Sequence, residues 1–191
     1  TVTGRLTTSP GSFPILTLRK DLRQILKPQN DLFVCLDYNG AEVRTLLELC
    51  GEDQPNIDIH QWNSQHLFEQ GIPREECKVR FFAWLYDPTS KDIKSTPYGR
   101  KIRVEERKAL NYLLQSTTSD RVLSKAVKID ALLVEKNCQS YISHIVHDEI
   151  VLDYSDGDRK WIPQIKEIFE DGYLCNLTAG KDYYNLKELK V

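Results

Sequence analysis

A chain of 191 residues, 40% hydrophobic and 28% charged with a formal net charge of -2, has the size of one large domain, or of one domain with a small appendage. This balance excludes a disordered chain, and apolar runs of only a few residues exclude a bilayer-spanning segment. Five scattered cysteines (Cys35, Cys50, Cys77, Cys138 and Cys175), odd in number and without a CxxC, argue against a disulfide framework or structural zinc and for ordinary buried or half-buried thiols in a reducing compartment.

In chain order, Thr1 to Thr8 reads as a short strand or turn. The chain does not open on a charged-apolar-small pattern, so no secretory signal is expected, and the lack of any Met points to a start after cleavage or to a piece of something longer. Ser9-Pro10-Gly11-Ser12 is a loop. Residues 19–27 form a short amphipathic helix stopped at Pro28. Leu32 to Leu36 is a buried strand ended by Asp37. Val43, Leu46, Leu47 and Cys50 recur at helical spacing from Glu42, with Gly51 as the stop. Ile57 to Gln70 is a second helix with Asp58 near its start. Arg74 to Tyr86 is a third, with Pro73 at its first turn, and 88–101 is loop.

A long helix from Glu105 to about Val134 carries Ala109, Leu113, Ala126, Ile129 and Leu133 on its apolar stripe. Ser140–Val146 and Ile150–Tyr154 form a β-hairpin with His147-Asp148-Glu149 at its tip. Ser155 to Asp158 is a turn, Trp161 to Glu170 a helix, and Tyr173 to Thr178 a closing strand. The class is α+β, a small antiparallel sheet with packed helices.

Charge is uneven. Residues 74–108 hold ten Lys and Arg against six acids, a net of +4, which leaves -6 for the remainder. Such a strip suits a polyanion partner, or is a solvated helix face. Asp37 ends an apolar strand and Asp148 sits on an apolar-flanked hairpin. Two carboxylates brought together there would bind Mg²⁺ or Mn²⁺; otherwise they are unrelated turn acids. His144, His147 and Asp148 lack a fourth ligand for zinc. Arg74, Lys78, Phe82 and Tyr86, each four apart, lie in a row on one helix face. They form a nucleotide cradle, or a salt-bridged face with a core-facing aromatic edge. Arg107, Asn111 and Gln115 make a second polar row, able to touch bases or backbone or to face solvent.

The ordered set is more specific than any member: TVTGRLTT at 1–8, DYNGAEVR at 37–44, DIH at 58–60, R-xxx-K-xxx-F-xxx-Y at 74–86, R-xxx-N-xxx-Q at 107–115 and VHDEI at 146–150. It resembles the polymerase domain of family A DNA polymerases, the bacterial polymerase I and phage T7-type enzymes, from Thr1 to near Leu177. The resemblance implies a palm sheet over 1–56 and 105–191, with reduced fingers over 57–104 and no thumb or exonuclease. It implies a DNA-directed DNA polymerase adding deoxynucleotides to a primer 3′ end with two Mg²⁺ ions, Mn²⁺ being an alternative.

By resemblance, Asp37, Asp148 and the carbonyl of Tyr38 are metal ligands, and Glu149 assists without being essential. Lys78 and Arg74 hold the triphosphate, Lys78 with a part in proton donation, and His60 adds a phosphate contact. Glu42 is the steric gate at the sugar 2′ position. Phe82 packs on the sugar and Tyr86 stacks at the templating position. Arg5, Arg107, Asn111, Gln115 and His147 touch primer-template DNA. Two departures stand out: Asp87 replaces the glycine expected after Tyr86, and only 20 residues separate Tyr86 from Arg107. Expected partners are primer-template DNA, deoxynucleoside triphosphates and a thumb-bearing or replisome chain, with no membrane. The expected setting is cytoplasmic or nucleoid-associated, with a viral or mobile-element origin. The competing expectation is a non-catalytic or partner-dependent DNA-binding subunit of a replication complex.

Overall fold

The apolar run at 32–36 becomes the middle strand of a five-stranded antiparallel sheet. The computed structural model describes residues 1–67, 72–85, 97–100 and 109–190. Its strands are β1 (Leu32–Tyr38), β2 (Tyr141–Val146), β3 (Glu149–Tyr154), β4 (Cys175–Gly180) and β5 (Lys187–Glu188), in the spatial order β2-β3-β1-β4-β5. Its helices are α1 (Ala41–Cys50), α2 (Ile59–His66), α3 (Arg74–Leu85), α4 (Ala109–Glu135) and α5 (Ile162–Glu170), with 3₁₀ turns at Lys20–Ile25 and Asp156–Trp161. The architecture is α+β. No helix among the described residues is long and apolar enough to cross a membrane.

The chain divides into two units. One comprises Thr1–Arg5, Asn39–Asp120 and Gly172–Leu174; the other comprises Leu6–Tyr38, Arg121–Asp171 and Cys175–Val191. The second unit holds the whole sheet. β3 and β4 cover both edges of β1, and its side chains are buried on both faces, which is why it reads as a continuous apolar run. On one face Phe33 and Cys35 pack with Val151 and Tyr183, joined by Ile15, Leu26 and Leu186. On the other, Tyr38 stacks on Phe169 of α5 at 4.1 Å, and its hydroxyl donates to the Phe169 carbonyl. Each such buried large side chain contributes about 1.5–3 kcal/mol.

The first unit is helical. Val43, Ile59, Phe81, Leu85 and Leu114 form its core, one or two side chains from each of α1 to α4. The buried stripe of α3 is Cys77, Phe81 and Leu85, one position away from the row that starts at Arg74. That row therefore lies beside the core rather than in it. Asp58 caps α2, accepting from the His60 and Gln61 amides.

α1 is bracketed by two glycines with left-handed backbone, Gly40 (φ 67°) and Gly51 (φ 72°). They differ in surroundings. A Cβ on Gly40 would lie 2.3 Å from Ile59 Cγ2, whereas one on Gly51 would meet nothing within 4 Å. Gly51→Ala is expected to cost about 1 kcal/mol, the backbone penalty alone. Gly40→Ala adds a steric clash and is expected to cost about 2–4 kcal/mol in urea unfolding. Equal losses would mean that the Gly40–Ile59 approach does not constrain the entry to α1.

Several expectations are corrected. Of the two readings of Thr1–Thr8, the turn is found, at Val2 and Thr3, and the strand is not. The 19–27 segment is a 3₁₀ turn with no buried residue. Tyr86, Asp87, Arg107 and most of 88–101 lie outside the described residues. The hairpin tip is two residues, His147 and Asp148, because Glu149 pairs with Val146 across the hairpin and with Asp37 on β1. His147 takes the left-handed backbone this tight turn needs (φ 56°). β4 starts at Cys175 rather than Tyr173, and β5 was not anticipated.

Candidate active site

In the sheet unit, the register puts Asp37 directly opposite Glu149 on β3 and opposite Asn176 on β4. Directly opposed residues on antiparallel strands project to the same face. Asp148 follows from the hairpin tip and is close enough to act on both acids. Burial, then the charges of Asp148 and Glu149, push the Asp37 carboxyl up to about 7, against a hydrogen bond from Asn176. Burial likewise pushes Glu149 up, while Tyr183, which donates to Glu149 Oε1, and nearby Arg23 pull it down. Asp37 and Glu149 are thus held beside Asp148, where burial and neighbouring carboxylate charge disfavour their ionisation, the situation a divalent cation relieves.

Among the described residues no cluster of three or more His, Cys, Asp or Glu side chains is arranged around a common metal position. Magnesium does not require one: it binds through one or two carboxylates and completes its shell with water and substrate phosphates. Asp37 and Asp148 fit that donor set. His147 is exposed at the tip. The Tyr38 side chain donates to the Phe169 carbonyl, and its backbone stands opposite Cys175 of β4.

In the helical unit, α3 presents Arg74 and Lys78 on its exposed side with Phe82 partly covered. The Arg74 guanidinium donates from Nε and a terminal nitrogen to the two oxygens of Asp58, at 3.0 and 2.8 Å. Asp58 also accepts from Asn39 Nδ2 at 2.9 Å. Its burial opposes ionisation, but the hydrogen bonds from Arg74, Asn39 and the Gln61 amide hold its carboxyl far below the usual range. His60 is buried beside Phe82, with ring centroids 5.8 Å apart, and burial followed by the charge of Arg74 lowers its pKa. Its Nδ1 has no hydrogen-bond partner among the described residues. His60, Arg74, Lys78 and Phe82 therefore belong to one neighbourhood, as their expected common role requires.

A second group in this unit gathers residues that are far apart in the chain. Arg5 forms an ion pair with Glu42 at 2.6 Å. Arg5 and Gln115 line a cavity of about 370 Å³ with Thr1, Val2, Thr3 and Tyr112. Gln115 Nε2 donates to Asn111 Oδ1 at 2.6 Å. Four of the expected sugar and DNA contacts, Arg5, Glu42, Asn111 and Gln115, are brought together; Tyr86 and Arg107 lie outside the described residues.

Some participants had no role assigned from the sequence. Asn39, Asp58 and Arg44 anchor the α2–α3 side of the helical unit. Asn176 and Tyr183 act on the sheet acids from the C-terminal segment. Asn39 and Arg44 stand within DYNGAEVR and Asp58 within DIH, Asp58 also as an acid where a helix starts; Asn176 and Tyr183 lie in no quoted motif.

No protein-family model matches this chain, and no curated protein does. Among solved structures it is similar to the POL domain of Pol1 from M. smegmatis, in complex with DNA primer-template and dNTP, at a TM-score of 0.77 and 16% identity. The match covers 97% of this chain and 47% of that one, so the chain spans about half the length of its structural neighbour. At that identity the likeness is one of fold, and the fold of this chain is polymerase-like.

Proposed function

We propose that the chain is a DNA polymerase core of the family A type, which adds deoxynucleotides to a primer 3′ end directed by a DNA template. The observation that carries this reading is the set of mutually opposed acids at the end of β1 and the β2–β3 tip, within a polymerase-like fold. Residues 1–56 and 105–191 correspond to a palm, and 57–104 to short fingers. Asp37 and Asp148, with the Tyr38 carbonyl, hold two Mg²⁺ ions, or Mn²⁺ in their place. Those ions supply charge neutralisation at the attacking and leaving oxygens.

The chain's own groups do the rest. Arg74, Lys78 and His60 bind and orient the triphosphate, since phosphoryl transfer depends on positioning and electrostatics more than on covalent help. Lys78 neutralises charge on the departing pyrophosphate and donates a proton to it. Phe82 packs on the sugar, and Glu42 crowds its 2′ position. Arg5, Asn111, Gln115 and His147 hold the primer-template. Deoxynucleoside triphosphates and primer-template DNA are the ligands, as in the complex of the structural neighbour.

A second reading, a DNA-binding subunit without catalysis, draws on two pairings. Glu42 is engaged by Arg5, and Arg74 by Asp58, so groups assigned to substrate already have partners within the chain. Single-nucleotide extension of a labelled primer-template with Mg²⁺ separates the two. A one-nucleotide product is expected. DNA binding without any product at high protein concentration would favour the second reading.

The gate has its own test. Glu42 is only 11% exposed at its side chain and is tethered by Arg5, so it presents a fixed wall. Glu42→Ala is expected to reduce the preference for deoxy- over ribonucleotides by about ten- to a hundredfold, the scale of a removed steric contact. An unchanged ratio of kcat/KM values would remove Glu42 from sugar selection.

A further inference from the structure

Tyr183 lies in the loop between β4 and β5, and no motif points to it. The loop is tightly made. A Cβ on Gly180 would fall 2.6 Å from the Asn185 carbonyl oxygen, so only glycine allows the chain to fold back there. Asp182 accepts from the Tyr184 and Asn185 amides at 2.9 and 2.6 Å and pairs with Lys27 at 3.3 Å. The Tyr183 amide donates to the Leu26 carbonyl.

The ring so placed is 3% exposed. It meets His144 edge-on at 4.9 Å and Phe33 at 6.3 Å, and the Arg23 guanidinium lies 4.9 Å from its centroid. Packing of this kind requires only a ring, and phenylalanine would satisfy it. The hydroxyl does something else: it donates to Glu149 Oε1.

The register shows why that contact matters. Phe33, Cys35 and Asp37 alternate on one face of β1, opposite Asp153, Val151 and Glu149. Tyr183 packs on Phe33, Cys35 and Val151, further along the ladder than the Asp37–Glu149 pair. One Glu149 oxygen is thus engaged from the core side, while Asp148 acts on it from the hairpin tip. We propose that Tyr183 is a positioning residue which, through its hydroxyl, keeps Glu149 from becoming a third carboxylate ligand of the cation at Asp37 and Asp148. The inference rests on the polymerase reading and deepens it. A cation held by two carboxylates keeps coordination positions open for substrate phosphates; a third carboxylate would fill one. It also gives a physical reason for Glu149 to assist rather than to ligate.

The test is a cycle of four proteins: wild type, Tyr183→Phe, Glu149→Gln and the double variant. Mn²⁺ binding is read from the electron paramagnetic resonance signal of the free ion, and primer extension is measured alongside. Phenylalanine keeps the ring, so the sheet is expected to stay folded. Tyr183→Phe should tighten Mn²⁺ binding by about ten- to a hundredfold, roughly the effect of one released charge-assisted hydrogen bond, and should slow extension. In the Glu149→Gln background the same change should alter Mn²⁺ affinity less than twofold, because the carboxylate it releases is gone. A purely structural tyrosine would produce no such coupling.

The outcomes are distinguishable. Mn²⁺ affinity unchanged by Tyr183→Phe, with wild type extending primers, overturns the Tyr183 assignment and leaves the polymerase reading standing. A coupled Mn²⁺ site in a protein that never extends a primer overturns the polymerase reading and supports the assignment. No Mn²⁺ binding by wild type overturns both.

Discussion

Asp37→Ala is expected to lower single-nucleotide extension by about a thousandfold or more, the upper scale for removing one charge-stabilising group from a transition state. The reason lies in the second unit. Asp37 lies one residue from the end of β1, the middle strand of the sheet, and its carboxyl is pushed up to about 7 by burial and by Asp148 and Glu149. A group held at that cost against its neighbours contributes little to stability, so removing it should not unfold the protein. Duplex binding, followed by fluorescence anisotropy, should change less than twofold. Asp148→Ala should match it in effect. Glu149→Gln should be milder, about ten- to a hundredfold, as for a group supporting a metal site from outside its ligand set. Retained extension in both aspartate variants would move the cation site elsewhere.

Arg44→Ala is expected to cost the helical unit about 3–5 kcal/mol in urea unfolding, the scale for breaking a buried charge-assisted network. Arg44 is 0% exposed. Its guanidinium donates to the carbonyls of Asn39 at 2.7 Å, Pro55 at 2.9 Å and Ile57 at 2.8 Å. One planar fork thus satisfies three main-chain acceptors of the turn after β1 and the α1–α2 connection. Burial lowers the Arg44 pKa while nearby Asp58 raises it, so the charge is balanced without a direct carboxylate contact. Arg44→Lys should recover less than half of the loss, because an ammonium cannot span three acceptors in one plane. The same connection delivers Asp58 to Arg74, so folded fractions of either variant should bind deoxynucleoside triphosphates more weakly. A wild-type unfolding midpoint for Arg44→Ala would show that water replaces the guanidinium at these carbonyls.

Much of the fold was legible because its signals are local. The uninterrupted apolar run at 32–36 predicts a strand buried on both sides. The spacing of Val43, Leu46 and Leu47 with a following Gly51 predicts α1 and its end. Pro73 marks the start of α3, and the apolar flanks around 147–148 mark the hairpin. Element limits were less legible where partners set them. Glu149 is polar and beside a turn, so it reads as loop. It is strand because Asp37 and Val146 supply its ladder.

The site shows the same division. Alone, the sequence determines residue types, their order and helical or strand spacing: acids at the end of β1 and at the hairpin, and a basic-aromatic row on α3. These properties extend over a few residues, where covalent geometry dictates which side chains share a face. Only the tertiary structure decides which charges meet. Arg5 finds Glu42, Arg74 finds Asp58, Arg44 finds three carbonyls, and Tyr183 finds Glu149. Except for the Asn39 carbonyl that Arg44 takes, those partners lie eleven to thirty-seven residues apart. Burying a polar group without a partner costs more than the net gain of pairing it, so the packing of the core, not local propensity, selects each partner.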